Sequence, residues 1–306
     1  MLSKKFISLD KVREVDRLLQ NEFGIDHFDN FDAFFDRYKP LKKRIDEYFK
    51  LHDRIARRSE RGGSLDESPL MKKLADFGLN GAIGSMNRRH LYIDAICFIS
   101  SVLDSENIEG KVIDIGCHNG VIPLILSYLH SNKFIGCDPC YPAISSAKRH
   151  KLFQGSVEFL DCGLPQINLS PGDLIYCLDV LHHMPDPHIG NSFRRLCHLV
   201  DDNGFLILTT SLFHGDEWVD TFNKILEEER VGFVACDVIG GYGRCPPEFE
   251  ASIICIFKKN NFNPIPRNLS ELADQDWNNY FKSYANNPAV ATREKTQSFE
   301  RAQRHR

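Results

Sequence analysis

The chain has 306 residues and a formal net charge of −4, from 38 Lys and Arg against 42 Asp and Glu. That length suits one α/β domain with an appendage, and the balance disfavours a globally basic nucleic-acid binder while leaving room for a local basic patch. The longest near-apolar window, 91–103, contains Asp94 and falls short of the roughly 18 residues of a membrane span. The run after Lys4 and Lys5 is too short for a signal-peptide core.

Residues 1–88 predict an N-terminal helical layer. Val12, Val15, Leu18 and Leu19 recur at helical spacing, as do Leu41, Ile45, Tyr48 and Ile55. Between them Phe28, Phe31, Phe34, Phe35 and Tyr38 form an aromatic stripe suited to packing that layer. Segment 37–61 holds ten Lys/Arg against four Asp/Glu, which reads first as a solvated helix face. Residues 62–85 carry Gly62, Gly63, Pro69, Gly78, Gly81 and Gly84, the composition of a crossing, and the layer is expected to close as a lid over the domain beyond it.

From 89 to 260 the pattern changes. Short β-branched runs at 111–116, 133–137, 156–160, 173–178 and 204–210 alternate with helical windows or turns, the signature of a doubly wound, mostly parallel sheet with helices on both faces. Runs 232–239 and 251–258, separated by a Gly/Pro-rich stretch, predict an antiparallel pair at one edge, giving seven strands with the last one reversed. The C-terminal extension 261–306 turns polar and reads as partly disordered.

The chain has ten cysteines, and Cys117, Cys137, Cys177 and Cys255 sit inside apolar runs, which points to reduced, buried thiols and a cytoplasmic protein. Cys137 and Cys140 form a single CxxC with no second pair at zinc spacing, so no metal site is expected.

The sharpest motif is VIDIGCHNG, 112–120, a buried strand ending near Asp114 and running through a glycine turn into a helix. Gly116 and Gly120 permit a tight bend and close ligand approach, with the first helical amides facing the ligand. In FIGCDPC, 134–140, Asp138 stands at the end of the second strand, where an acid accepts hydrogen bonds from ribose hydroxyls. A dinucleotide site wants GxGxxG around a pyrophosphate, whereas the carboxylate of Asp114 repels phosphate and suits an ammonium. S-adenosylmethionine carries both an ammonium and a ribose.

On these residues the segment 90–260 resembles the class I, Rossmann-like S-adenosylmethionine-dependent methyltransferases. Asp114, Gly116 and Gly120 match the family's first motif, with Cys117 inside it and His118 in place of the middle glycine; His tolerates a positive φ better than most side chains. The resemblance implies a ribose contact for Asp138, which precedes Pro139, and an adenine contact for Asp161, with Cys162 alongside. It also aligns DLIYCLDVLHHMPD, 173–186, with the family's fourth strand, Asp179 and a His-bearing loop.

Methyl transfer from a sulfonium chiefly needs alignment of acceptor, methyl and sulfur. A hydroxyl or ammonium acceptor must also lose a proton, and His182 or His183 is suited to take it. Strand alternation past Asp179 aims Asp179, Leu181 and His183 to one side, with Asp179 facing the cofactor as one of its binding residues, which favours His183. Tyr242 and Arg244, in the loop 240–250, are candidates to hold an aromatic or anionic acceptor. The favoured acceptor is an O or N atom of a small molecule. The alternatives are an RNA or protein acceptor docked through 37–61, and a non-catalytic module that binds S-adenosylmethionine.

Overall fold

The computed structural model describes residues 9–26, 39–41, 89–152, 155–210, 216–239 and 252–267, together with single positions 43, 44, 47, 50, 51, 69, 212 and 269. The aromatic stripe, the glycine crossing, most of the basic segment, Tyr242, Arg244 and the tail beyond 269 lie outside the described residues.

In chain order the elements are α1 (Leu9–Phe23), a 3-10 turn (Lys39–Leu41), α2 (Arg89–Ser105), β1 (Lys111–Ile115), α3 (Val121–Leu129), β2 (Lys133–Cys137), α4 (Tyr141–Lys148), β3 (Val157–Leu160), β4 (Gly172–Leu178), a second 3-10 turn (Leu181–His183), α5 (Asp186–His198), β5 (Val200–Thr209), α6 (Asp216–Glu229), β6 (Val231–Ile239) and β7 (Ser252–Lys259). The seven strands pair in the order β3-β2-β1-β4-β5-β7-β6. Strands β1 to β5 are mutually parallel, while β7 runs antiparallel to both β5 and β6. The doubly wound sheet with a reversed last strand is therefore present. The reversed strand inserts beside β5 and leaves β6 at the rim.

Alternation of side chains divides the sheet into two faces. Val112, Phe134, Tyr176 and Ile207 pack under α1, α2, α3 and α4, whereas Ile113, Ile175, Cys177 and Leu206 pack under α5 and α6. Burial on both faces explains why these strands read as continuous apolar runs. The C-terminal segment covers the β6 rim: Phe233 N–H donates to Asn263 O at 2.7 Å, and Asn261 Nδ2 donates to Phe233 O at 3.1 Å. Satisfying these edge groups blunts a strand that is otherwise open to further pairing.

Helix α1 joins the same core through Val15, Leu18 and Leu19. Its polar contacts locate it along the sheet. Lys11 pairs with Asp104 in the last turn of α2, and Glu22 with Lys151 at 2.8 Å. Phe23 stacks on His150 with ring centroids 4.2 Å apart. These partners lie at the amino ends of the strands, so α1 braces the end of the domain opposite the motif loops. The expected lid over those loops would have to come from residues after 26, and 27–38 and 52–68 lie outside the described residues.

Candidate functional site

Because β1 to β5 run parallel, the loops at their carboxyl ends gather on one edge, where ligand sites of open α/β sheets form. The loop after β1 takes left-handed geometry at Gly116 (φ 84), His118 (φ 52) and Gly120 (φ 77). His118 thus adopts the conformation that the family's middle glycine would otherwise supply.

The β1 loop is tied to its neighbour by main-chain bonds. The N–H groups of Gly116 and Cys117 both donate to Cys137 O, at 2.8 and 3.0 Å, and His118 N–H donates to Asp138 Oδ2 at 2.8 Å. The other Asp138 oxygen accepts from Cys140 N–H at 2.8 Å. Asp138 is 8% exposed, so it first organises the two loops. Each carboxylate oxygen keeps further lone-pair capacity for a ligand hydroxyl.

Beyond β3, Asp161 is exposed and Cys162 half-buried. A Cβ on Gly163 would meet Pro139 Cδ at 2.9 Å, so the third loop lies against the second and brings Asp161 and Cys162 beside Asp138 and Pro139. Burial raises the thiols of Cys137 and Cys162, which sit side by side. None of the nine described cysteines forms a disulfide, and no group of three or more metal-ligating side chains occurs among the described residues.

Asp114 is 4% exposed and faces Tyr176 across the β1/β4 register. Burial drives its carboxyl well above the usual carboxylate range, the Tyr176 phenol offsets part of that, and the Asp138 charge adds to the rise. The Tyr176 hydroxyl is wholly buried and has no hydrogen bond of ordinary length, so the phenol attracts the carboxyl without closing on it. A buried hydroxyl beside a buried carboxyl sets one donor and one acceptor together within the sheet. An α-ammonium group fits that donor and acceptor set. Sequence reasoning misses Tyr176, because only the strand register shows that this core residue also faces Asp114.

If a ligand ammonium pairs with Asp114, it stabilises the carboxylate and lowers the raised pKa, so that binding releases a proton where the free carboxyl is still partly protonated. Affinity is expected to weaken as pH falls through the raised value. Isothermal titration in buffers of different ionisation enthalpy reads the proton release directly. Asp114→Asn should abolish it, and identical proton release in the two proteins would exclude Asp114 as its source.

The β4 strand ends at Leu178, and Asp179 turns into the left-handed region with φ 57. Its N–H donates to Thr209 Oγ1 at 2.8 Å, and Thr209 Oγ1 donates to Asp179 Oδ1 at 3.0 Å. The 3-10 turn after it buries Leu181 completely, leaves His182 half-buried and exposes His183. The alternation that placed Asp179, Leu181 and His183 on one side is thus corrected: strand geometry has ended two residues before Leu181, and a helical turn sets the histidines. Their rings lie 4.1 Å apart between centroids at 46°. His182 Nδ1 is buried without a hydrogen bond, and burial lowers the pKa of this ring while the Asp179 charge opposes the fall.

Packing holds these loops together. A Cβ on Gly116 would lie 2.2 Å from Val180 Cγ2, so the β4 loop rests directly on the β1 loop. A Cβ on Gly120 would lie 2.7 Å from Phe159 Cζ and 2.9 Å from Ala147 Cβ, at a φ of 77. Gly120→Ala is accordingly expected to destabilise the fold by about 2–4 kcal/mol, from left-handed strain and overpacking together. Urea unfolding measures this, and an unchanged midpoint would contradict the loop geometry.

Residues 113–206 match a family model described as a methyltransferase domain. Over this stretch the chain is similar to a methyltransferase domain, set within a seven-stranded sheet whose last strand is reversed. A tRNA U34 carboxymethyltransferase from Campylobacter hominis is 32% identical over 119 residues, 38% of this chain and 41% of that protein. A ubiquinone biosynthesis O-methyltransferase from Pseudomonas aeruginosa is 33% identical over 105 residues, 33% of this chain and 44% of that protein. The chain thus spans less than half the length of the curated relatives it matches. The crystal structure of magnesium protoporphyrin IX methyltransferase from Synechocystis PCC 6803 with bound SAM shares the fold, with a TM-score of 0.51 at 20% identity over 64% of this chain and 98% of that one. Among the described residues no helix is long and apolar enough to cross a membrane.

Proposed function

We propose that the protein binds S-adenosylmethionine across the loops after β1, β2 and β3 and transfers its methyl group to an O or N atom of a small-molecule acceptor. The observation that carries this reading is the left-handed Gly116–Gly120 loop whose His118 N–H is bonded to Asp138, because it joins an ammonium-compatible acid and a ribose-compatible acid in one rigid unit. The cofactor supplies an electrophilic methyl on a sulfonium with a good leaving group. Asp138 accepts from the ribose hydroxyls, Asp114 pairs with the ammonium, and Asp161 and Cys162 border the adenine. His182 or His183 takes the acceptor proton, and Asp179 lies at the root of their turn. Tyr242 and Arg244 are assigned to the acceptor from their place in the chain.

A pyrophosphate meets the opposite environment, since the Asp138 carboxylate repels it and Asp114 offers it no compensating positive charge. Micromolar binding of S-adenosylmethionine and S-adenosylhomocysteine with no binding of NAD is therefore expected, read by isothermal titration. A methyl-release assay against metabolite pools then separates an enzyme from a module that only binds the cofactor. Equal affinity for NAD would overturn the cofactor assignment.

An RNA acceptor is the second reading. It is favoured by the match to a tRNA-modifying relative and by the exposed cations Lys39, Lys43 and Lys50 within the basic segment 37–61. Backbone contacts of that kind weaken steeply with salt. Methyl release into tRNA at low salt, with none into the metabolite pool, would select this reading over the first.

A further inference from the structure

The histidine turn depends on a residue that neither the motifs nor the proposed chemistry touches. Asp179 holds a left-handed φ of 57, a conformation that costs a non-glycine residue energy and persists where its surroundings impose it. The imposing group is Thr209, the last residue of β5, fully buried. Its hydroxyl accepts from Asp179 N–H at 2.8 Å and donates to Asp179 Oδ1 at 3.0 Å, closing a two-way clamp between main chain and carboxylate. The Thr209 carbonyl takes the same N–H at 3.2 Å. The clamp therefore does more than satisfy a donor, because the carbonyl alone would suffice for that. What the hydroxyl adds is a fixed direction for the carboxylate.

That direction matters because the carboxylate lies within electrostatic reach of His182. Among the described residues the groups around this ring are few. The tilted His183 ring lies beside it, and α5, which packs against the histidine turn, begins with the exposed residues Asp186 and His188. Asp179 is the acidic group that acts on the ring.

We propose that Thr209 is a positioning residue: it locks the turn at the end of β4 and fixes the Asp179 carboxylate at its root, so that the histidine turn is held at the ligand-facing edge. This rests on the methyl-transfer reading for its purpose, but not for its existence, since the clamp acts on the histidine whether or not an acceptor is known. Thr209 lies outside the contacts assigned to cofactor and acceptor and works only through Asp179.

The test is a proton NMR titration of the histidine ring signals in the full chain, assigned by His182→Gln and His183→Gln, for the wild type and for T209V, T209S and D179N. T209V keeps the shape of the side chain and removes the hydroxyl, and is expected to lower the His182 pKa by about 0.5–1 unit as the carboxylate loses its fixed direction. D179N should produce a similar fall without touching β5, so the proposal stays testable if T209V folds poorly. T209S restores the hydroxyl and should restore the wild-type titration. The double variant should move the ring no further than D179N alone, because both changes act along one path. An unshifted His182 in folded T209V or in D179N overturns the proposal. Where methyl release can be followed, T209V should lose about 10- to 100-fold in kcat with KM for the cofactor retained, and T209S should recover it. A shifted titration with no methyl release to any acceptor supports the clamp and counts against the methyl-transfer reading, which keeps the two failures apart.

Discussion

Replacing His182 with Ala is expected to lower kcat by about 10²- to 10⁴-fold with little change in cofactor affinity, if the acceptor must lose a proton during transfer. The structure favours His182 over His183 for this effect. His182 is half-buried, its Nδ1 has no hydrogen bond, and Asp179 acts on it, whereas His183 is exposed. The sign of the pH dependence comes from burial. A base works in its neutral form, and burial lowers the His182 pKa below its ordinary value, so the base is available at neutral pH and activity falls as pH drops through that lowered pKa. The measurement is kcat per folded molecule for His182→Ala and His183→Ala across the acid range. Near-wild-type turnover in both would remove the base and leave alignment of the reactants as the catalytic device.

The second large effect belongs to Asp138. Asp138→Ala is expected to weaken S-adenosylhomocysteine binding by about 10- to 150-fold, or about 1.5–3 kcal/mol, through loss of hydrogen bonds from ribose hydroxyls to a buried carboxylate. The same change releases His118 N–H and Cys140 N–H, so part of the loss comes from loosening the loops before any ligand arrives. Asp138→Asn separates the contributions, because its amide oxygen replaces one acceptor while the charge is lost. Isothermal titration gives the affinities and thermal unfolding the stability. An unchanged dissociation constant in folded Asp138→Ala would remove the ribose assignment.

Much of the fold was legible because a parallel sheet buried on both faces writes itself as short β-branched runs separated by helices. The runs at 133–137 and 173–178 match β2 and β4 to within a residue. The runs 232–239 and 251–258 became β6 and β7, as their β-branched and apolar composition predicted. Gly116, Gly120, Asp114 and Asp138 were legible as a candidate site because tight turns and acids at strand ends have few other uses.

What the sequence did not carry was decided by register and by distance along the chain. Tyr176 and Asp114 lie far apart in sequence and meet only because β4 pairs with β1, so the phenol looked like one more core residue until the strands were aligned. Thr209 likewise reads as an ordinary end of a strand, and its clamp on Asp179 exists only because β5 lies beside β4. The strand ends at Leu178 as expected and a 3-10 turn follows, so the alternation expected for the histidines does not hold, because it lasts only as long as strand geometry. Helix α1 shows the limit in another form. Its amphipathic stripe announced that it would pack, but nothing local encodes which end of the sheet it meets, and the pairings of Lys11 with Asp104 and of Glu22 with Lys151 place it opposite the loops. Local propensity determined which segments became strands and helices, and long-range pairing decided which side chains face one another.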